Sequence, residues 1–130
     1  MGTRSLTYVY NNDKPIVCMY RQYDGYPTGH GAELARFLKS GKVVNGLPID
    51  TEQLLFNGMG CLAAQMIAHF KRTPGGFYIY PVELDQDAWQ EYEYHVYEHR
   101  VCITRPNQTE VLFDGTWKEF ETFCKEEENV

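Results

Sequence analysis

Two alternating runs joined by turn chemistry constrain this chain more than any other feature. Ser5-Leu-Thr-Tyr-Val-Tyr10 alternates and is rich in β-branched and aromatic residues, which reads as a strand. Asn11-Asn-Asp-Lys14 supplies turn residues, and Ile16 to Tyr23 reads as the returning strand. The same signature recurs later. Arg100-Val-Cys-Ile-Thr104 and Glu110-Val-Leu-Phe-Asp114 flank Pro106-Asn107. Hairpins of this kind require antiparallel pairing, so the sheet should be mostly antiparallel.

Helical spacing appears between and after these strands. Ala32-Glu-Leu-Ala-Arg-Phe-Leu-Lys39 places Ala32, Leu34, Ala35 and Leu38 on one stripe, with Gly41 as the residue beyond its end. A second helix is expected from Gly60 to Lys71, burying Leu62, Ala63, Met66, Ile67 and Phe70 before Pro74-Gly75-Gly76 breaks it. Residues 42–58 read as irregular: Val43 to Pro48 forms a loop, and Asp50 or Thr51 caps a short turn. Phe77 to Val82 is a strand whose Pro81 marks an edge or an end. Glu91 to Tyr97 alternates, with Tyr92, Tyr94 and Val96 on one face and Glu91, Glu93, His95 and Tyr97 on the other. Thr116 and Glu119 have capping-box spacing ahead of a last helix carrying Trp117, Phe120, Phe123 and Cys124. The order β-β-α-α-β-β-β-β-α gives an α+β class: five to six strands, with two to three helices packed on them.

At 130 residues one domain is expected, with 125–130 as a frayed acidic tail. The net charge of −6 argues against non-specific nucleic-acid binding, which needs a basic face. No long apolar run or leader is seen, so no membrane association and a cytoplasmic location are expected. Cys18, Cys61, Cys102 and Cys124 form no CxxC pair, and they read as buried free thiols. His95 and His99 have metal spacing only on a helix, and they lie at a strand; neither a metal site nor a cofactor is expected.

The chemistry concentrates in Met19-Tyr-Arg-Gln-Tyr-Asp-Gly-Tyr-Pro-Thr-Gly-His-Gly31, where Arg21, Tyr23, Asp24, Tyr26, Thr28, His30 and Gly31 line one strand-to-helix connection. A second glycine-rich helix entry, Asn57-Gly58-Met59-Gly60-Cys61, resembles the first in composition. Helix entries expose backbone N–H groups that hold anions, and two facing one pocket would suit phosphates. Tight turns and close packing are the plain alternative for these glycines. Arg4 and Arg21 fall at the same open end of the hairpin, where their guanidiniums suit phosphate; an Arg21–Asp24 ion pair is the structural alternative. His30, between two glycines, is expected to be exposed or to line a cleft, and would be the acid–base residue of any enzyme here. Tyr23 and Tyr26 are placed to stack on a ring, with packing over the helix as the structural alternative.

Met1-Gly-Thr-Arg-Ser-Leu-Thr7, the Met19–Gly31 string with Ala32-Glu-Leu34, and Phe56-Asn-Gly-Met-Gly-Cys-Leu-Ala-Ala-Gln65 together resemble a family of small uncharacterised phage and prokaryotic proteins. That resemblance implies a host-interaction or defence-evasion role and supplies no catalytic residues. The leading expectation is a module that sequesters a small anionic ligand, such as a nucleotide or cyclic-nucleotide immune signal, with a homo-oligomer completing the pocket. A metal-free phosphodiesterase on the same pocket and a protein-binding inhibitor of a host defence complex are the alternatives.

Overall fold

A computed structural model describes residues 2–46 and 54–127. The first hairpin pairs β1 (Ser5–Asn11) with β2 (Lys14–Arg21) across Asn12 and Asp13. Both turn residues have positive φ, 52° and 65°, the left-handed pair that matches the twist of a two-residue hairpin. Asn and Asp accept that region more readily than bulkier residues. β5 (Phe77–Tyr80) pairs antiparallel with β2, and Pro81 follows its last residue at the sheet edge. β6 (Tyr92–Val96), β7 (Val101–Thr104) and β8 (Val111–Gly115) form the second antiparallel run. The six-stranded order is β5-β2-β1-β6-β7-β8.

The antiparallel runs are joined by a parallel pairing of β1 with β6. That join lies at the sheet centre, where both faces are covered. Strand β1 is buried from Ser5 to Tyr10, so its polar and apolar residues are equally shielded. On one face Val9, Met19, Tyr94 and Ile103 meet Leu34 and Leu38 of α1 (Ala32–Lys39), Leu62 and Met66 of α2 (Gly58–Phe70), and Phe120 of α3 (Trp117–Glu127). The other face carries Leu6, Tyr8, Tyr10, Cys18 and Tyr20, against Tyr80, Leu84, Ala88 and Tyr97. The segment after Pro81 therefore acts as a strap. Its Gln86 donates to the Pro81 and Glu83 carbonyls and to the Tyr8 hydroxyl.

Two expectations are corrected and one is extended. Residues 42–58 are not wholly irregular: β3 (Gly41–Val44) pairs parallel with β4 (Leu54–Asn57) in a separate two-stranded sheet. Gly41 before and Asn45-Gly46 after the short Lys42-Val43-Val44 run are turn chemistry, which makes β3 read as loop. The proposed loop at 47–48 and caps at Asp50 and Thr51 lie outside the described residues. Gly41 follows the C-cap residue Ser40, the place expected of it beyond α1, and it also opens β3; a Cβ there would stand 2.6 Å from the Phe56 ring, so close packing requires glycine. The start of the supposedly frayed tail belongs to α3, which runs to Glu127.

The capping box is realised in both directions. Thr116 N–H donates to Glu119 Oε1 at 2.8 Å, and Glu119 N–H to Thr116 Oγ1 at 3.1 Å. Cys18, Cys102 and Cys124 are buried, whereas Cys61 is half-buried. Burial pushes the Cys18 thiol up to about 12. Among the described residues no helix is long and apolar enough to cross a membrane.

Under the strap, the face of β6 expected to be polar is sealed. Glu93, His95 and Thr104 are all buried. One orientation satisfies the chain of groups: Tyr10 O–H donates to His95 Nδ1 (2.7 Å), His95 Nε2–H to Thr104 Oγ1 (3.2 Å), and Thr104 O–H to Glu93 Oε1 (3.5 Å). Gln90 Nε2 and the Asn107 N–H donate to Glu93 Oε2 at 2.8 Å and 3.2 Å. Removing the Tyr10 hydroxyl leaves a buried imidazole nitrogen unpaired. Tyr10→Phe should lower unfolding stability by about 1–3 kcal/mol in urea denaturation; a change within error would contradict the relay.

Candidate functional site

Arg21 ends β2 on the helix-covered face and is almost fully buried. Its Nε–H donates to the Tyr23 carbonyl at 2.6 Å. Nη1 reaches His30 Nδ1 at 3.2 Å and Glu33 Oε2 at 3.1 Å; Nη2 reaches Glu33 Oε1 at 3.2 Å. The pair with Glu33 is thus bidentate, the strong geometry for a guanidinium and a carboxylate. The Phe77 ring lies under the guanidinium, 5.0 Å from its centroid. The Arg21–Asp24 pair does not form: Asp24 Oδ1 instead accepts the Tyr26 hydroxyl at 3.1 Å.

His30 is fully buried, and the expectation of an exposed or cleft-lining ring is corrected. Arginine can only donate, so Nδ1 must be the bare nitrogen, and Nε2–H donates to Thr7 Oγ1 at 2.7 Å. Phe70 and Tyr94 pack around the ring. Burial first, and the neighbouring Arg21 charge second, hold the imidazole down at about 3. It is a neutral structural bridge near pH 7, shut off from solvent.

The connection before α1 is a π-helical turn, Pro27–Gly31. Three of its N–H groups are spent internally: His30 N–H donates to the Asp24 carbonyl at 2.7 Å, and those of Gly29 and Gly31 to the Tyr26 carbonyl at 3.0 and 3.4 Å. A Cβ on Gly29 would stand 2.5 Å from the Asp24 carbonyl oxygen, and one on Gly31 2.8 Å from Cys124 Sγ. These glycines serve packing, and their N–H groups and that of His30 are engaged within the turn rather than turned toward an anion. Tyr23 and Tyr26 are exposed, while Thr28 is half-buried.

The second helix entry lies elsewhere. Asn57 ends β4, and its Oδ1 accepts the Gly46 N–H at 2.7 Å; Gly58 turns the chain at φ 82°, and Gly60 is in the first turn of α2. The opposite end of α2 carries Phe70, the residue that packs on His30. Thirteen helical residues separate the two ends by roughly 18 Å. The two glycine entries therefore do not share a pocket. Arg4 is also displaced: it shares the open end with Arg21 but sits one residue out of phase, on the opposite sheet face, in a hollow with Tyr20, Tyr80 and Trp89.

What Arg21 does border is a cleft of about 410 Å³ between the C-terminal ends of α1 and α2. Glu33, Arg36, Phe37 and Ser40 line it from the α1 side. His69 and Phe70 line it from α2, Arg72 from just beyond that helix, and Phe77 from β5. Arg36 and Arg72 are exposed, and neither has an acidic partner among the described residues. Arg72 Nε donates to the His69 carbonyl at 3.1 Å. Three guanidiniums face one carboxylate, a surplus of two positive charges in a chain of net charge −6. Two helix C-termini together offset about one of these charges. Neither Arg36 nor Arg72 carries a local motif; only the meeting of two helix ends with β2 brings them to Arg21.

Among the described residues no cluster of three His, Cys, Asp or Glu could hold a metal. His95 is buried and His99 exposed, so they share no site. Comparison with protein-family models, with curated proteins and with solved structures finds no match.

The sealed His30 predicts acid sensitivity. The unfolded chain protonates it below 6.5, while the folded state resists down to about 3. Proton uptake then favours unfolding, and stability falls as pH drops below 6.5 and is unaffected above it. From about pH 6.5 to about pH 5, above the carboxylate range, the loss should be roughly 2 kcal/mol. Urea melts across that interval measure it; a flat profile would contradict a buried neutral His30. Separately, Gly29→Ala should cost about 1–3 kcal/mol by forcing the turn open, read as a lowered melting temperature.

Proposed function

We infer that this chain binds a small phosphate-bearing anion in the cleft between α1 and α2. The carrying observation is the excess of guanidinium over carboxylate, concentrated in one concave site of an acidic chain. Arg21 is already held by Glu33, His30 and Tyr23, so its orientation is set before a ligand arrives. Four of its five N–H groups are engaged, leaving one on Nη2. Arg36 and Arg72 are the adaptable arms. Guanidinium forks match phosphate oxygens in pairs.

Phe37 and Phe77 give the cleft apolar walls beside this charge. Its volume falls in the range of small-ligand pockets. A nucleotide or cyclic nucleotide combines the required anion with a ring for those walls. Binding is favoured over turnover because His30, the acid–base residue the sequence offered, is sealed in the core. The likeness of Met19–Gly31 and its companion strings to small phage proteins supports sequestration of a nucleotide immune signal as the biological setting. Free thiols and a nucleotide ligand fit a cytoplasmic location.

Calorimetric titration against a nucleotide and cyclic-nucleotide panel tests the reading. Arg36→Ala and Arg72→Ala should each weaken binding roughly tenfold or more, with the fold intact by circular dichroism. Arg4→Ala, on the other sheet face, should leave affinity unchanged. Absence of binding across the panel, or indifference to both cleft arginines, would contradict it. Ligand released by heat should return chemically intact.

A further inference from the structure

The outer edge of β5 carries an unusual load for a strand with no further neighbour among the described residues. Tyr78, Ile79 and the following Val82 are 48%, 60% and 41% exposed. The direction of its backbone groups can be worked out. Gln22 N–H donates to the Gly76 carbonyl at 2.8 Å, which makes Gln22–Gly76 a hydrogen-bonded pair. With Tyr20 opposite Tyr78 and Cys18 opposite Tyr80, antiparallel alternation turns the groups of Tyr78 and Tyr80 toward β2. Those of Phe77 and Ile79 therefore point outward. Lys71 Nζ donates to the Phe77 carbonyl at 2.7 Å, consistent with that direction.

We propose that β5 pairs with β5 of a second copy, antiparallel about a two-fold axis at Ile79, joining two sheets into one. In this register Ile79 exchanges both backbone hydrogen bonds with the second copy's Ile79. Phe77 N–H donates to the second copy's Pro81 carbonyl, using the lone pair left beside the one that accepts that copy's own Gln86 amide at 2.6 Å. Proline returns no N–H, and the carbonyl it leaves unserved is the Phe77 carbonyl that Lys71 already occupies. The edge is thus satisfied without a vacancy.

Side chains agree with the same register. Tyr78 falls opposite the second copy's Tyr80 in a non-hydrogen-bonded pair, the closer of the two pair types. This would extend the existing stack of Tyr20 on Tyr80, whose centroids are 4.7 Å apart. Charges agree too. Basic Lys71 and Arg72 precede β5, and acidic Glu83, Asp85 and Asp87 follow it, all exposed. Two-fold pairing sets Glu83 opposite the second copy's Gly75, the residue whose carbonyl binds Lys71 Nζ at 3.2 Å. The other sheet edge offers no such match: β8 carries Asp114 and follows Glu110, like charges against a second copy. The pairing does not depend on what the cleft binds.

Analytical ultracentrifugation from roughly 1 to roughly 500 μM should show a monomer–dimer equilibrium. Ile79→Lys and Glu83→Lys should each shift it to monomer by tenfold or more, with melting temperature little changed. Cross-linking gives a positive test. Paired Cα atoms about 5.5 Å apart suit a disulfide, so Ile79→Cys in a Cys61→Ser background should oxidise to a covalent dimer. Val111→Cys on the opposite edge should not. A monomer at every concentration, or a dimer that survives both charge variants and is not trapped through residue 79, would overturn the proposal.

Discussion

Arg21 ties the end of β2, the π-helical turn and α1 together through one side chain. From the end of β2 it holds the Tyr23 carbonyl, the imidazole of the π-helical turn and the carboxylate of α1. His30 passes the connection on to Thr7 in the middle of β1. A buried cation without such partners would cost several kcal/mol. Here each bond is directional, so the set also fixes where α1 sits. The fully buried Leu34 and Leu38 of α1 supply the hydrophobic stabilisation, and the Arg21 node supplies the register.

The cleft is a consequence of that placement. Helix α1 anchored at Glu33 delivers Arg36 one turn later to the solvent side, where the end of α2 brings Arg72. The charge surplus arises because, among the described residues, one carboxylate enters the cleft, and it is committed to Arg21. Rigidity at the floor and freedom at the rim suit an anion site, since the ordering cost then falls on two side chains rather than on the scaffold.

Much of the sheet was legible in the chain. Alternation around Asn12 and Asp13 and around Pro106 announced both antiparallel runs, and Thr116 with Glu119 announced the last helix. The parallel join of β1 to β6 was not legible, because periodicity records which face is buried and not which strand lies alongside. Strand β3 was hidden by the turn residues around it, Gly41 and Asn45-Gly46, and β4 by its direct run into the glycine-rich entry of α2. The site was less legible than the fold. The density of polar groups at Tyr20–Gly31 was real, but most serve the interior: glycines for contact, His30 for a buried bridge, Asp24 for its own turn. Phase along a strand separated Arg4 from Arg21, and helix length separated Asn57, Gly58 and Gly60 from both. Arg36 and Arg72 lacked any local signal, since their significance comes from tertiary proximity alone.

The state of the His30 ring tests this account most directly. Nitrogen-15 NMR of the imidazoles reports protonation at each ring nitrogen. The Arg21–His30–Thr7 node requires a bare Nδ1 and a protonated Nε2 for His30, unchanged between about pH 8 and about pH 5. A His30 that titrates near 6.5, or that carries its proton on Nδ1, would contradict the node and the placement of α1 and the cleft built on it.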